Sequence, residues 1–130
     1  MASKLIEKGI AIHYPYHKDA LMAEMDSFLI VAAAFPTVNE GQVRSWNSGN
    51  VAQLLDALYP SGCPAVDAAF EEQELLDRDD PEADSVITDM EYPELENIVN
   101  DAEDISSLDK MKVLLAFRYV MGQILDGSTG

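Results

Sequence analysis

The sequence predicts an all-α protein, a single compact domain of about six helices spanning 1–130. Three observations lead there. Apolar residues recur at helical spacing over 17–35 (Leu21, Met25, Phe28, Leu29, Ala32) and over 108–125 (Leu108, Met111, Leu114, Leu115, Met121, Ile124, Leu125). Alternation, the mark of a half-buried strand, is sustained nowhere beyond 9–14. A length of 130 residues suits one domain, and 48% hydrophobic content suffices for a core.

The elements follow in order. Ser3 caps a short first turn over 4–8 that Gly9 stops, and residues 10–14 read equally well as a short extended piece. The first long helix covers 17–35, with Asp19 at its positive end and Pro36 beyond it. Thr37 and Glu40 have capping-box spacing for a second helix over 38–46. A turn at 47–50 lets Asn50 cap a third helix over 51–59, with Val51, Leu54, Leu55 and Leu58 inward and Pro60 at its end. Pro64 suits the first turn of a fourth helix over 65–78, which buries Val66, Ala69, Phe70 and Gln73 or Leu76. Residues 77–85 are the most polar stretch and read as a loop. Thr88 or Pro93 opens a fifth helix with Leu95, Ile98, Val99, Ala102 and Ile105 inward. Ser106 and Asp109 resemble a capping box for the last helix, 108–125, in which Gly122 falls mid-helix and Gly127 is the stop. Its apolar character all round at 113–117 marks it as the central core helix.

Charge is the most informative feature. The chain has 24 Asp+Glu against 8 Lys+Arg, net −16. Residues 1–66 are net −2 and residues 110–130 net +2, whereas 67–109 hold seventeen acids and one base, Arg78. The formal charge therefore lies in one internal segment, unlike an acidic tail or a uniformly acidic surface. The segment is also rich in apolar anchors, from Phe70, Leu75 and Leu76 to Ile105 and Leu108, so it reads as folded structure with an acidic outer face. Such charge disfavours direct contact with nucleic acid and with anionic membranes. No apolar run reaches 18 residues, the first residues lack the apolar core of a signal peptide, and a single Cys63 excludes an intrachain disulfide. A cytoplasmic location is the expectation.

Sequence patterns for chemistry are weak. His13 and His17 are four apart, but Pro15 separates them and no further ligand has diagnostic spacing, so no metal site is expected. Cys63 has no patterned base, and paired acids are too common here to mark general acid–base work. Residues 80–91 resemble the calcium loop of the EF-hand family, with acids at positions 1, 3, 5, 10 and 12 (Asp80, Glu82, Asp84, Asp89, Glu91) and Ile87 at position 8. Ser85 replaces the glycine of position 6, Pro81 stands at position 2, and Pro93 falls in the exiting turn. No enzyme activity and no cofactor are predicted.

The acidic segment exceeds what solubility needs, which is a net charge of about 2–8 for a small domain. Like charges at i,i+4 cost a few tenths of a kcal/mol each, and Glu71, Glu74 and Arg78 form the one favourable local set. The excess points to a basic partner. A duplex presents one negative charge per strand about every 3.4 Å along its axis, and carboxylates one helical turn apart are spaced about 6 Å, so two acidic helices and their connection present parallel rows of phosphate-like charge. The expected function is that of a non-enzymatic nucleic-acid mimic that occupies the basic nucleic-acid-binding site of a partner protein, such as a nuclease, CRISPR effector, restriction enzyme or nucleoid protein. The expected contact residues are Glu71, Glu72, Glu74, Asp77, Asp79, Asp80, Glu82, Asp84, Glu94, Glu96, Asp101, Glu103 and Asp104. Size and composition are similar to those of the small acidic DNA-mimic inhibitors that phages and plasmids use against host defence, a resemblance of charge and architecture. An acidic regulatory or immunity-type module, with a degenerate calcium loop at 80–91, is the alternative, and a homodimer is compatible with either.

Overall fold

The computed structural model describes residues 2–35 and 43–122. Among them are seven α-helices: α1 (Ala2–His13), α2 (Lys18–Met22), α3 (Met25–Ala34), α4 (Ser48–Leu58), α5 (Pro64–Glu72), α6 (Tyr92–Asp101) and α7 (Ser107–Val120). Two 3-10 turns, Pro15–His17 and Val86–Asp89, complete them. No strand is present among the described residues; the nearest feature is an isolated antiparallel bridge between Asn47 and Asp84. The all-α expectation holds. No helix among the described residues is long and apolar enough to cross a membrane.

The last helix is the hub, as its all-round apolar character requires. Val113, Leu114, Leu115, Ala116, Phe117 and Val120 of α7 are buried, and α1, α2, α3, α4 and α6 all pack against it. Phe117 meets Phe70 of α5 with ring centroids 5.6 Å apart. Phe28 and Val31 of α3, Ile6 and Ile10 of α1, and Leu54, Leu55 and Leu58 of α4 close one shared core. Each such side chain contributes about 1.5–3 kcal/mol on burial.

Several boundaries differ from the sequence reading. The first helix runs through Gly9, which is buried, and continues to His13, so 10–13 is helical and only Tyr14 of the expected extended piece lies outside the helix. The long helix expected over 17–35 is two helices joined by a turn at Ala23 and Glu24. That break resets the register: Leu29 no longer shares a face with Leu21 and is exposed, while Phe28 and Ala32 are buried. At the break Glu24 reaches the buried ammonium of Lys112, 3.0 Å away, so a tertiary ion pair sits where the helix is interrupted.

The helix expected over 38–46 lies, up to residue 42, outside the described residues; beyond it Trp46 stacks on Phe35 at 4.9 Å. Asn47, rather than Asn50, caps α4, with the two asparagines exchanging bonds in a reciprocal capping box. The last helix ends at Val120, with Gly122 at φ 72 supplying the left-handed residue that terminates it; the expected stop at Gly127 lies outside the described residues. The largest difference is at α5, which stops at Glu72 rather than near residue 78. Glu74 takes a left-handed φ of 62, Leu75 N–H bonds to Phe70 O and Glu74 N–H to Glu71 O. This is a Schellman turn with its apolar pair Phe70 and Leu75 both buried. The buried pair wins over the absence of glycine, because turning inward at Leu75 and Leu76 removes two large side chains from water.

Candidate acidic interface

The acidic segment is tied down by its backbone, which leaves its carboxylates outside. Leu75, Leu76, Ser85, Ile87, Tyr92, Leu95 and Val99 are buried, and Asp77, Asp79, Asp80, Glu82 and Asp84 lie exposed between them. The loop after α5 caps the start of α4. Ser48 N–H donates to Ala83 O at 2.9 Å and Gly49 N–H to Pro81 O at 2.7 Å. The buried Ser48 hydroxyl donates to Asp77 O at 2.9 Å and accepts from Asp77 N–H. The first three amides of α4 are thus satisfied by the loop and by Asn47, a set of orphan donors that every helix must place. Glycine at position 49 permits this close approach, since an added Cβ would stand 3.0 Å from Pro81 O and the loop would have to give way by a few tenths of an ångström. The Asn47–Ser–Gly–Asn50 pattern signalled a turn; its role as a clamp on residues 77–83 was not legible.

Twelve of the thirteen expected contact residues are exposed: Glu71, Glu72, Glu74, Asp77, Asp79, Asp80, Glu82, Asp84, Glu94, Asp101, Glu103 and Asp104. Glu96 is the exception. Its carboxylate accepts from Arg118 at 3.2 Å and belongs to an internal pair. Arg78 does not pair with Glu71 or Glu74 as expected; its guanidinium forks onto Asp67 through two 3.0 Å bonds and also reaches Asp56 at 3.0 Å. The early end of α5 moves residues 74–80 off the helix, so the local i,i+4 set dissolves.

The exposed acids form more than one group. Glu72, Asp101, Glu103 and Asp104 line an open cleft of about 460 Å³, with Gln73 and Asn97 among them and Ala69, Ile98 and Ala102 as apolar wall. Glu74, Asp84 and Asp89 line a second cleft of about 580 Å³, which also contains Arg44, Ser45, Trp46 and Thr88. Glu71, Asp77, Asp79, Asp80, Glu82 and Glu94 line neither.

The first cleft has an additional electrostatic feature. It is built where the C-terminal ends of α5 and α6 converge, and neither helix has a basic residue in its last turn. The carbonyl end of a helix carries roughly half a negative charge, so two such ends and four carboxylates add in one place. Lys110 of α7, donating to Asn100 O at 2.9 Å, offsets part of this at α6. An arrangement chosen for stability would put bases here. What the cleft offers chemically is attraction for guanidinium or ammonium groups, modest for each exposed carboxylate and cumulative over the four.

Among the described residues no three His, Cys, Asp or Glu side chains come close enough to share a metal ion. The five acids of 80–91 therefore do not converge as the EF-hand spacing suggested. The loop instead turns Ser85 inward to donate to Leu75 O at 2.7 Å, and Ile87 enters the core on a 3-10 turn. His13 faces Arg118 while His17 is exposed, so that pair does not converge either. Among the described residues no buried side-chain nitrogen or oxygen lacks a hydrogen-bond partner. Fold and site thus define a small all-α domain with a concentrated acidic face. No family model, curated protein or solved structure matches the chain.

Proposed function

We propose that the protein is a non-enzymatic inhibitor that acts as a DNA mimic, its acidic face occupying the basic nucleic-acid-binding site of a partner protein. The observation that carries this reading is the cleft where two helix C-termini and Glu72, Asp101, Glu103 and Asp104 converge. Carboxylates at the negative ends of helices oppose stability, so their placement is better explained by a ligand that needs negative charge than by a solvated surface. Side chains of Lys or Arg from the partner's groove would enter the cleft, their methylene stems against Ala69, Ile98 and Ala102. The exposed acids of 77–84 and the acids of the second cleft would add further points of contact. Attraction of this kind speeds capture and weakens with salt.

The test is a pull-down from lysate at low and high salt, with bound proteins eluted by duplex DNA. The reading expects retained proteins to be nucleic-acid binders, to be released by DNA or by salt, and to be lost with a Glu72/Asp101/Glu103/Asp104→Lys variant that remains folded. Each rim pair contributes about 1 kcal/mol or less, so the four together are needed. Glu96→Gln should leave capture intact, because that carboxylate is already engaged by Arg118. Equal capture by the quadruple variant, or complexes that DNA does not displace, would sink the mimic reading.

A further inference from the structure

Arg118 of α7 stands where three elements meet. Its guanidinium lies over the Tyr92 ring of α6 at 4.5 Å and within 5.9 Å of the Tyr14 ring that follows α1. It donates to Glu96 of α6 at 3.2 Å and to the Tyr14 hydroxyl at 3.4 Å. Its remaining terminal nitrogen faces Nε2 of His13, the last residue of α1, at 3.5 Å. A guanidinium has donors only, so the His13 nitrogen that faces it must offer a lone pair, and the imidazole proton must sit on Nδ1. The contact exists for neutral histidine alone. A proton on Nε2 would set two cations face to face, with Glu96 the nearby anion and already shared with Arg118.

We propose that His13 is a pH-sensitive latch, which closes the C-terminal turn of α1 onto Arg118 when neutral and releases it when protonated. The charged groups that set its balance are Arg118 from α7 and Glu96 from α6; Tyr14 beside it and Tyr92 of α6 hold the guanidinium, and His17, on the adjoining 3-10 turn, is exposed. Partial burial and the charge of Arg118 hold the His13 pKa below its ordinary value of 6.5, and Glu96 opposes them less strongly. Because the closed form binds a proton less tightly than the open or unfolded chain, the latch is fully closed above pH 6.5 and loses stability as pH falls through the lower closed-state value. Each unit of depression is worth a factor of ten in the equilibrium at acid pH. Release frees the His13 ring from Arg118, leaving Tyr14 with its bond from Arg118 Nε as the remaining tie to α7, while the Arg118–Glu96 pair keeps α6 in place.

The experiment is an NMR titration of the full chain from pH 8 to 5, with the His13 imidazole assigned by comparison with His17→Asn. The expected midpoint lies below 6.5, and the Arg118 Nε–H and Tyr14 ring resonances move with the same midpoint. In Arg118→Gln the His13 midpoint should rise. In His13→Gln, whose amide oxygen accepts the same bond, the melting temperature should fall less between pH 7.5 and 5.5 than in wild type. A wild-type midpoint at or above 6.5, Arg118 and Tyr14 signals that do not follow it, or an unchanged midpoint in Arg118→Gln would overturn the latch. The wild-type titration decides the matter even where a variant does not fold.

Discussion

The two ends of α6 carry the same kind of residue with opposite consequences. Glu94 lies in the first turn, where unpaired amides and the positive dipole end favour a carboxylate. Asp101 is the last helical residue, where unpaired carbonyls already make the surroundings negative. The neighbouring helices repeat the contrast. Asp67 and Asp109 occupy first turns of α5 and α7, and both are engaged, Asp67 by Arg78 and Asp109 by Ser106 and Tyr59. Glu71 and Glu72 close α5 without a base in the last turn. Acids at N-termini need no explanation beyond folding. Acids gathered at C-termini, around one cleft, work against folding, and the proposed basic partner would offset that cost.

The largest expected effect tests the platform that both ends share. Leu115→Ala in α7 should cost about 2–5 kcal/mol in denaturant unfolding, enough to remove the folded state of a marginal domain. Ser48→Ala should come next, at about 1–3 kcal/mol, because it takes the hydroxyl acceptor from the part-buried Asp77 amide, leaves the Asp77 carbonyl only its bond from Asp80 N–H, and loosens the loop from α4. Glu74→Gly should raise stability by about 1 kcal/mol, since glycine takes the left-handed φ of 62 without a Cβ penalty. A loss on that substitution would show that the side chain has a structural partner.

The sharpest test of the comparison is smaller. Glu94→Gln should lower stability and Asp101→Asn should raise it, each by about 0.3–1 kcal/mol at low salt. Changes of equal sign at the two ends of α6 would refute the dipole account. Smallest of all, the wild-type melting temperature should rise from very low salt to about 0.1 M, where the screening length is near 10 Å, and the rise should shrink in Asp101→Asn. A flat profile would mean that the acids of 67–109 do not repel one another appreciably.

How much of this was legible depended on how local the cause was. The stripe in 108–125 identified the core helix because burial on all sides leaves an unmistakable composition, and Pro64, Pro93 and Ser106 marked helix starts through backbone chemistry that acts within one turn. The exposure of twelve acids followed from their charge, since an unpaired carboxylate is expensive to bury. The exception, Glu96, was not legible because its partner Arg118 is distant in sequence and meets it only through the packing of α6 on α7. Arg78 was assigned to the wrong acids for a related reason: once α5 has ended, its fork reaches back to Asp67 in the first turn of α5 and across to Asp56 of α4.

By itself, then, the sequence determined the helical class, the hub and the concentration of charge, because periodicity and composition act residue by residue. Only the tertiary structure decided where α5 stops, which loop caps α4, and which four carboxylates share a cleft. Those outcomes turn on a buried Phe70–Leu75 pair, a Ser48 hydroxyl placed against Asp77, and the convergence of two helix ends, none of which leaves a trace in local spacing. A carboxylate's side of the molecule could be read from its chemistry; its neighbours across space depended on how the apolar faces packed.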